Sequence, residues 1–442
     1  MASRPGSTAC CGRSARFGRA GGAAFTAPAV SASNPPARMS REILLSIYVP
    51  AAIVTVSRAL ILPLVPLFAL SFEVSYSRVG IVIGAQGIGN LVADVPAGMI
   101  IRRLGRKRVM LYGAAVIALS AAAVAWAGSL SELVLYRFIS GVGMALWNIS
   151  RHSYLTEHIP RSRRGLASAT MGGIGRISGF VGPVLGGLLA TAFGYRLPFV
   201  VCAVFGLMGL VATARLVDAD DAGRAERKRG EEENAEAGPP AGLAEVLRSH
   251  YRILLSAGSG QLCAQMIRAA RNVIIPLYAT DTLGLDAAAV GLITSVSYGV
   301  DMLLFVPAGM IMDRFGRKFA SVPSFVIQSA AMACIPLTSG FGELMVVATA
   351  IGLGNGIGAG TMLTLGSDLA PSRARAEFLG MWRLIGDSGH AGGALVVGRV
   401  ADLAGLGMAP FVVAAMGLAG AAILGLLVPE TLHKQARPPS SP

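Results

Sequence analysis

Charged residues are scarce in this 442-residue chain, at 14%, against about 25% in soluble globular proteins. That shortage argues against a soluble fold. Cysteine is scarce too: Cys10, Cys11, Cys202, Cys263 and Cys334 are the only five. None stands at ligand spacing with histidine, so neither a metal centre nor a disulfide framework is indicated. The chain has no GxxxxGK[ST] phosphate loop, which excludes nucleoside triphosphate binding by that route and leaves no cofactor implied. No nucleophile, base and orienting acid gather at a predicted helix end, so an enzyme is disfavoured.

What the chain has in quantity is apolar, at 53%, and it arrives in stretches of about 20 residues, the length that crosses a hydrocarbon core about 30 Å thick. Six runs read as spans, at 43–70, 79–101, 109–126, 133–154, 166–192 and 198–216. Six more follow at 251–278, 290–312, 319–337, 344–365, 378–400 and 410–428. The expected organisation is an N-terminal bundle over 41–217, a charged linker over 218–250, a C-terminal bundle over 251–429 and a tail from 430. Residues 1–40 are arginine-rich and acid-free up to Met39. They read as a disordered extension, either a transit segment or an overlong start with Met39 as the first residue.

The formal charge of +14 raises nucleic acid as a partner. Its placement answers otherwise. The basic residues cluster in alternate short loops: Arg102, Arg103, Arg106, Lys107 and Arg108, then Arg161, Arg163 and Arg164, then Arg314, Arg317 and Lys318, then Arg373 and Arg375. Such a skew marks the cytoplasmic side of a bilayer, so both termini and the linker are expected there, in a bacterial inner membrane.

The two halves repeat one another. Val95-Pro96-Ala97-Gly98-Met99-Ile100 recurs unchanged from Val306 to Ile311, a displacement of 211 residues. The same register relates Gly105-Arg106-Lys107 to Gly316-Arg317-Lys318, Gly141 to Gly352 and Pro160 to Pro371. Parallel six-helix repeats place a substrate site near midplane between the halves. Gly354-Asn355-Gly356-Ile357-Gly358 lacks a preceding strand and an acidic ribose partner, and reads as a small-residue helix face.

Gly309, Asp313, Arg314, Gly316, Arg317 and Lys318 resemble the loop signature of the major facilitator superfamily, a glycine, an acid and an RxGRK-like basic run. The first-half copy keeps Gly98, Arg103, Gly105, Arg106 and Lys107 but has Arg102 at the acidic place. The stretch from Arg137 to Gly143 resembles the family's fourth-helix motif, and Gly182-Pro183-Val184-Leu185-Gly186-Gly187 the core of the motif associated with drug/proton antiporters. The resemblance runs from Met39 to about Glu430. It implies an all-α membrane protein of twelve helices in two pseudo-repeats, exporting small molecules against protons by alternating access as a monomer. Uptake or exchange of a small organic anion, and a receptor that translocates nothing, remain as alternatives.

Ionisable residues at membrane depth are functional candidates by default. Counting inward from the predicted helix ends places Arg58, Arg176, Arg268, Asp301, Arg383 and Asp387 near midplane, with Arg271 one turn from Arg268. The repeat aligns Asn90 with Asp301 and Arg176 with Asp387. Arg383, Asp387 and His390 fall on one helix face, where an acid between a cation and an imidazole can take and release a proton. The first span offers Arg58 and no acid, and arginines outnumber acids around the expected cavity. Two further pairings are expected at the basic loops: Arg102 with Glu377, and Asp313 with Arg164 or the amides at the start of the fifth helix.

Overall fold

In hydrocarbon each backbone N–H and C=O must be satisfied within its own segment, so the apolar runs have little choice but to be helical. The computed structural model describes residues 41–159, 163–217, 243–371 and 374–432, and no strand occurs among them. The extension over 1–40, residues 218–242 of the linker and the tail beyond 432 lie outside the described residues; positions 243–250 of the expected linker are already helical.

The first pass is α1 (Arg41–Ile61) continued by α2 (Leu64–Leu70), interrupted at Pro63. Then come α3 (Tyr76–Leu104), α4 (Arg106–Ala125), α5 (Leu130–His158), α6 (Arg164–Phe193) and α7 (Arg196–Leu216). The second half has α8 (Leu243–Leu277), α9 (Ala287–Phe315), α10 (Arg317–Cys334) and a broken pass of α11 (Phe341–Ile357) and α12 (Thr361–Leu369). It closes with α13 (Arg375–Ala404) and α14 (Ala409–Leu426). Gly105 and Gly316 separate α3 from α4 and α9 from α10 with φ of 82° and 117°, a left-handed backbone that a side chain would strain.

Among the described residues, nine spans are long and apolar enough to cross a membrane, and ten once α3, bent by 55° around Asp94 and Pro96, counts as one. Proline removes a donor from the ladder, which accounts for the bend. The two passes that fall short are α8 and α13, which carry Arg268, Arg271, Arg383 and Asp387. Their polarity is a property of the site they build, and they complete twelve.

Helix packing obeys the repeat. In the first half α3 packs on α5, α5 on α4, α4 on α7, and α1 on both α6 and α7. Shifting by 211 residues gives α9 on α11, α11 on α10, α10 on α14, and α8 on both α13 and α14, and all of these pairs are in contact. The halves meet through α3 with α13 and α6 with α9, again one pair mapped onto the other.

Small residues make that meeting close. A Cβ at Gly87 would lie 2.7 Å from the Ala391 methyl carbon, and one at Gly187 would overlap the Ala287 carbonyl. The six-residue stretch around Pro183 is therefore shared between two interfaces. Gly182 and Gly186 press on the α1 backbone at Ala59 and Leu60, while Gly187 and the Pro183 carbonyl meet Ala287 and Gly291 of the other half. Toward the basic loops contact ceases: side-chain positions at Gly98, Gly173, Gly175, Gly309 and Gly380 have no neighbour within 4 Å. The halves touch at the face opposite the basic loops and part at the basic-loop face.

Candidate functional site

The arginines and acids expected near midplane do gather where the halves part. Asp301 on α9 is 3% exposed; its Oδ2 accepts from Asn355 Nδ2 at 2.9 Å. Its Oδ1 lies 3.8 Å from Arg176 Nε on α6, across the interface. Arg176 also covers the Phe305 ring at 4.0 Å. The repeat-equivalent crossing joins α3 to α13: Asn90 Nδ2 donates to Asp387 Oδ2 at 3.5 Å, and Arg383 reaches Asp387 at 3.5 Å and Asp94 at 3.4 Å. One register position is amide in the first half and acid in the second; its partner is arginine in the first and acid in the second. At these two positions each crossing keeps one acid, with the donor drawn from opposite helices, and Asp94 adds a second acid to the α3–α13 crossing.

Asp94 was not among the residues expected from the sequence. Its signal was present, an acid inside the apolar run 79–101, and the rule that flags intramembrane charge applies to it directly. Arg268 is fully engaged within its own half, donating to Asn355 Oδ1 at 2.9 Å, Gln265 Oε1 at 3.1 Å and the Gly358 carbonyl at 3.4 Å. The last of these bonds meets a carbonyl freed where α11 breaks. Asn355, in the glycine-rich stretch, therefore bridges Arg268 and Asp301. Arg271 lies over the Tyr298 ring at 4.4 Å.

Between the halves lies a cavity with about 750 Å³ of empty space, its solvent-open part included. Arg58 of α1, Gln86 and Asn90 of α3, Arg137 and Asn148 of α5, Asn272 of α8 and His390 of α13 line it, with Leu62, Val65, Ile83 and Met144 as its apolar wall. Arg137 donates to Gln86 Oε1. The expected face of Arg383, Asp387 and His390 is thus divided: the first two hold the interface, and the third borders the cavity.

At the face opposite the basic loops the halves are tied by polar contacts that also follow the repeat. Asp402, near the end of α13, accepts from the backbone N–H of Tyr76 at 2.8 Å and of Ser77 at 3.0 Å, so the α3 N-terminus is capped by the other half. Ser75, at the N-cap position, makes no cap of its own. In the equivalent crossing Asp286 caps α9 through Ala289 N–H at 2.9 Å, and Thr191 of α6 accepts from Ala288 N–H at 2.9 Å. Serine and aspartate at one register position, aspartate and threonine at the other, have exchanged places. Tyr76 Oη also bonds Asp281.

The basic loops have a different task. Arg106 pairs with Glu157 and donates to Ser153 Oγ at 2.8 Å; its counterpart Arg317 pairs with Asp368 at 3.0 Å and with Asp313 at 3.3 Å. These contacts pin α4 to α5, and α10 to α9 and α12, within each half. Lys318 Nζ donates to the Gly425 carbonyl at 2.8 Å, and Arg314 lies 5.4 Å from the Phe315 ring. Glu430 accepts from Arg317 and Lys318 N–H at 2.9 and 3.0 Å, capping α10. Partial burial raises the Glu430 carboxyl, but backbone N–H groups of Arg317, Lys318, Leu432 and Thr431 outweigh it and hold it below the usual carboxylate range. Arg102 and Arg103 are exposed, Lys107 and Glu377 half-buried. The structure does not bring Arg102 and Glu377 together, because α3 and α13 have separated there; the Arg164 side chain lies outside the described residues.

Comparison with known proteins agrees with this architecture. The profile of the Major Facilitator Superfamily matches residues 48–262 and 257–442. An uncharacterised MFS-type transporter of Methanocaldococcus jannaschii is 21% identical over 347 residues, 78% of this chain and 88% of that protein. The methylenomycin A resistance protein of Streptomyces coelicolor is 34% identical over 130 residues, 28% of this chain and 26% of that one. The tetracenomycin C resistance and export protein of Streptomyces glaucescens is 33% identical over 136 residues, 31% and 25%. Both shorter alignments therefore span about a quarter of the relative. Among solved structures, a D-xylose-proton symporter superposes with a TM-score of 0.70 at 17% identity, covering 89% of this chain and 99% of the other. Because the profile spans both six-helix halves, the chain belongs to the Major Facilitator Superfamily of multi-pass membrane transporters.

Proposed function

We propose that this transporter is a proton-coupled exporter of small organic molecules, working as a single chain by alternating access, with the basic-loop face in the cytoplasm of a bacterial inner membrane. The observation that carries the reading is Asp387, which lies on the α3–α13 contact between Arg383 and Asn90, at the depth where the halves part. A proton on Asp387 weakens the bond it accepts from Asn90 across the halves and leaves its same-helix neighbour Arg383 to Asp94 alone, so the set of contacts between the halves changes when the acid is loaded. Release of the proton restores it. Export as the direction is supported by the two Streptomyces relatives, one described as a resistance protein and the other as a resistance and export protein. With the basic loops cytoplasmic, the present arrangement is open inward and closed outward.

The test uses proteoliposomes with an imposed pH gradient and a panel of fluorescent organic compounds. Asp387→Asn is expected to abolish gradient-driven flux and to leave counterflow measurable, since exchange does not require the proton to leave. Gradient-driven flux at the wild-type rate in that variant would remove Asp387 from coupling.

A further inference from the structure

Two intramembrane arginines of this protein face acids, and a third has neutral acceptors. Arg176 faces Asp301, Arg383 faces Asp94 and Asp387, and Arg268 has three acceptors. The two that line the central cavity have no acid beside them, as is also true of the buried Arg271, which lies over the Tyr298 ring. Arg137 is 8% exposed, has only the neutral Gln86 as acceptor, and its Nε has no hydrogen-bond partner. Arg58 has no hydrogen bond or ion pair among the described residues, and it lines the same cavity as Arg137. No aspartate or glutamate lines the cavity. Its other polar groups are the amides of Gln86, Asn90, Asn148 and Asn272, and the His390 imidazole.

We propose that the cavity is a binding site for amphipathic organic anions, in which Arg58 and Arg137 hold a carboxylate, sulfonate or phosphate group and the apolar wall at Leu62, Val65 and Met144 takes the body. The assignment rests on the transporter reading of the same cavity and adds the chemical class of its cargo. Two cations of like sign, one of them nearly enclosed, are unfavourable unless an anion joins them. Guanidinium groups are suited to that anion because they offer paired donors in one plane. While the basic-loop end is open, the cavity communicates with solvent. Closing that end over an empty cavity would strip the water from two uncompensated cations. A bound anion removes this penalty, so loading favours closure, and the same two arginines supply both selectivity and the link between occupancy and rocking.

The experiment measures binding to the full-length protein in lipid nanodiscs by fluorescence anisotropy, with carboxyfluorescein as the anion and a rhodamine ester as a cation on the same three-ring frame. Carboxyfluorescein is expected to bind saturably, to be displaced by benzoate and not by benzamide, and to weaken as salt is raised. Arg58→Gln and Arg137→Gln are each expected to weaken it about tenfold or more, and Arg58→Lys less. The salt and competition measurements need no variant, so poor folding of one does not shield the idea. Absence of carboxyfluorescein binding, equal or tighter binding of the rhodamine ester, or wild-type affinity in both glutamine variants would overturn the assignment. The two readings fail separately: gradient-driven rhodamine flux without anion binding leaves the exporter and removes the anion site. Anion binding without gradient-driven flux does the reverse.

Discussion

Removing Asp402 tests whether the closed face is held by a cap that one half lends to the other. Asp402→Ala deletes two carboxylate acceptors, at 2.8 and 3.0 Å from the Tyr76 and Ser77 N–H groups. Each such bond at an exposed site contributes about 1 kcal/mol. Ser75 has the extended backbone of an N-cap, with φ of −64° and ψ of 156°, and its hydroxyl is engaged with Asp402. Once Asp402 is gone its hydroxyl can turn to the same amides and recover about 1 kcal/mol. The net loss is then about 1 kcal/mol, which shifts the two-state equilibrium toward the state open at this face about fivefold. Ser75→Ala alone is expected to stay within about 0.5 kcal/mol of wild type. Combined with Asp402→Ala it removes a cap that lies within α3 and is available in both states, so the shift stays about fivefold. The assay is the distance distribution between spin labels at Ser71 and Thr282, on the two halves at this face, in nanodiscs and a cysteine-free background. A distribution unchanged in the double variant would show that the trans cap does not hold the face closed.

At Gly187 a side chain would overlap the Ala287 carbonyl, so Gly187→Val is expected to force α6 and α9 apart by about 1–3 kcal/mol of overpacking, read with the same spin-label pair; Gly173→Val, with open space around it, should leave that distribution unchanged. Glu430→Ala removes the cap of α10 and should lower thermal stability by about 1 kcal/mol. Because the folded Glu430 carboxyl is held below its usual range, its contribution is complete above the unfolded value and is lost as pH falls through the folded one. The stability difference between wild type and this variant should therefore be constant near neutrality and narrow below about pH 4.3, as followed by thermal unfolding at successive pH values.

Much of this molecule was legible in one dimension because a bilayer leaves few choices. An apolar run of 20 residues has one low-energy backbone there, so the spans could be read by length. The 211-residue repeat then required that any contact in one half have a counterpart in the other, and Arg106 with Glu157 against Arg317 with Asp368 meets that requirement. Charge at depth was equally readable, since each ion in hydrocarbon needs a partner or a cavity; Asp94 was legible by that rule and passed over.

Partnership was not legible. Spacing along α13 joins Arg383, Asp387 and His390 on one face, and nothing in that spacing says that the first two meet Asp94 and Asn90 of α3 while the third borders a cavity. The expected pairing of Arg102 with Glu377 shows the limit from the other side. Opposite charges near helix ends suggest a contact, but whether they meet depends on how far the two halves have rocked, a rigid-body coordinate without a local sequence signal. The exchange of acid and hydroxyl between Ser75 with Asp402 and Asp286 with Thr191 is of the same kind. Sequence alone determined which residues carry charge, which segments cross the membrane and that the halves are copies. Only the packing of α3 on α13 and α6 on α9 decided which charges neutralise one another and which two arginines are left facing the cavity, because that follows from the distances between helices far apart in the chain.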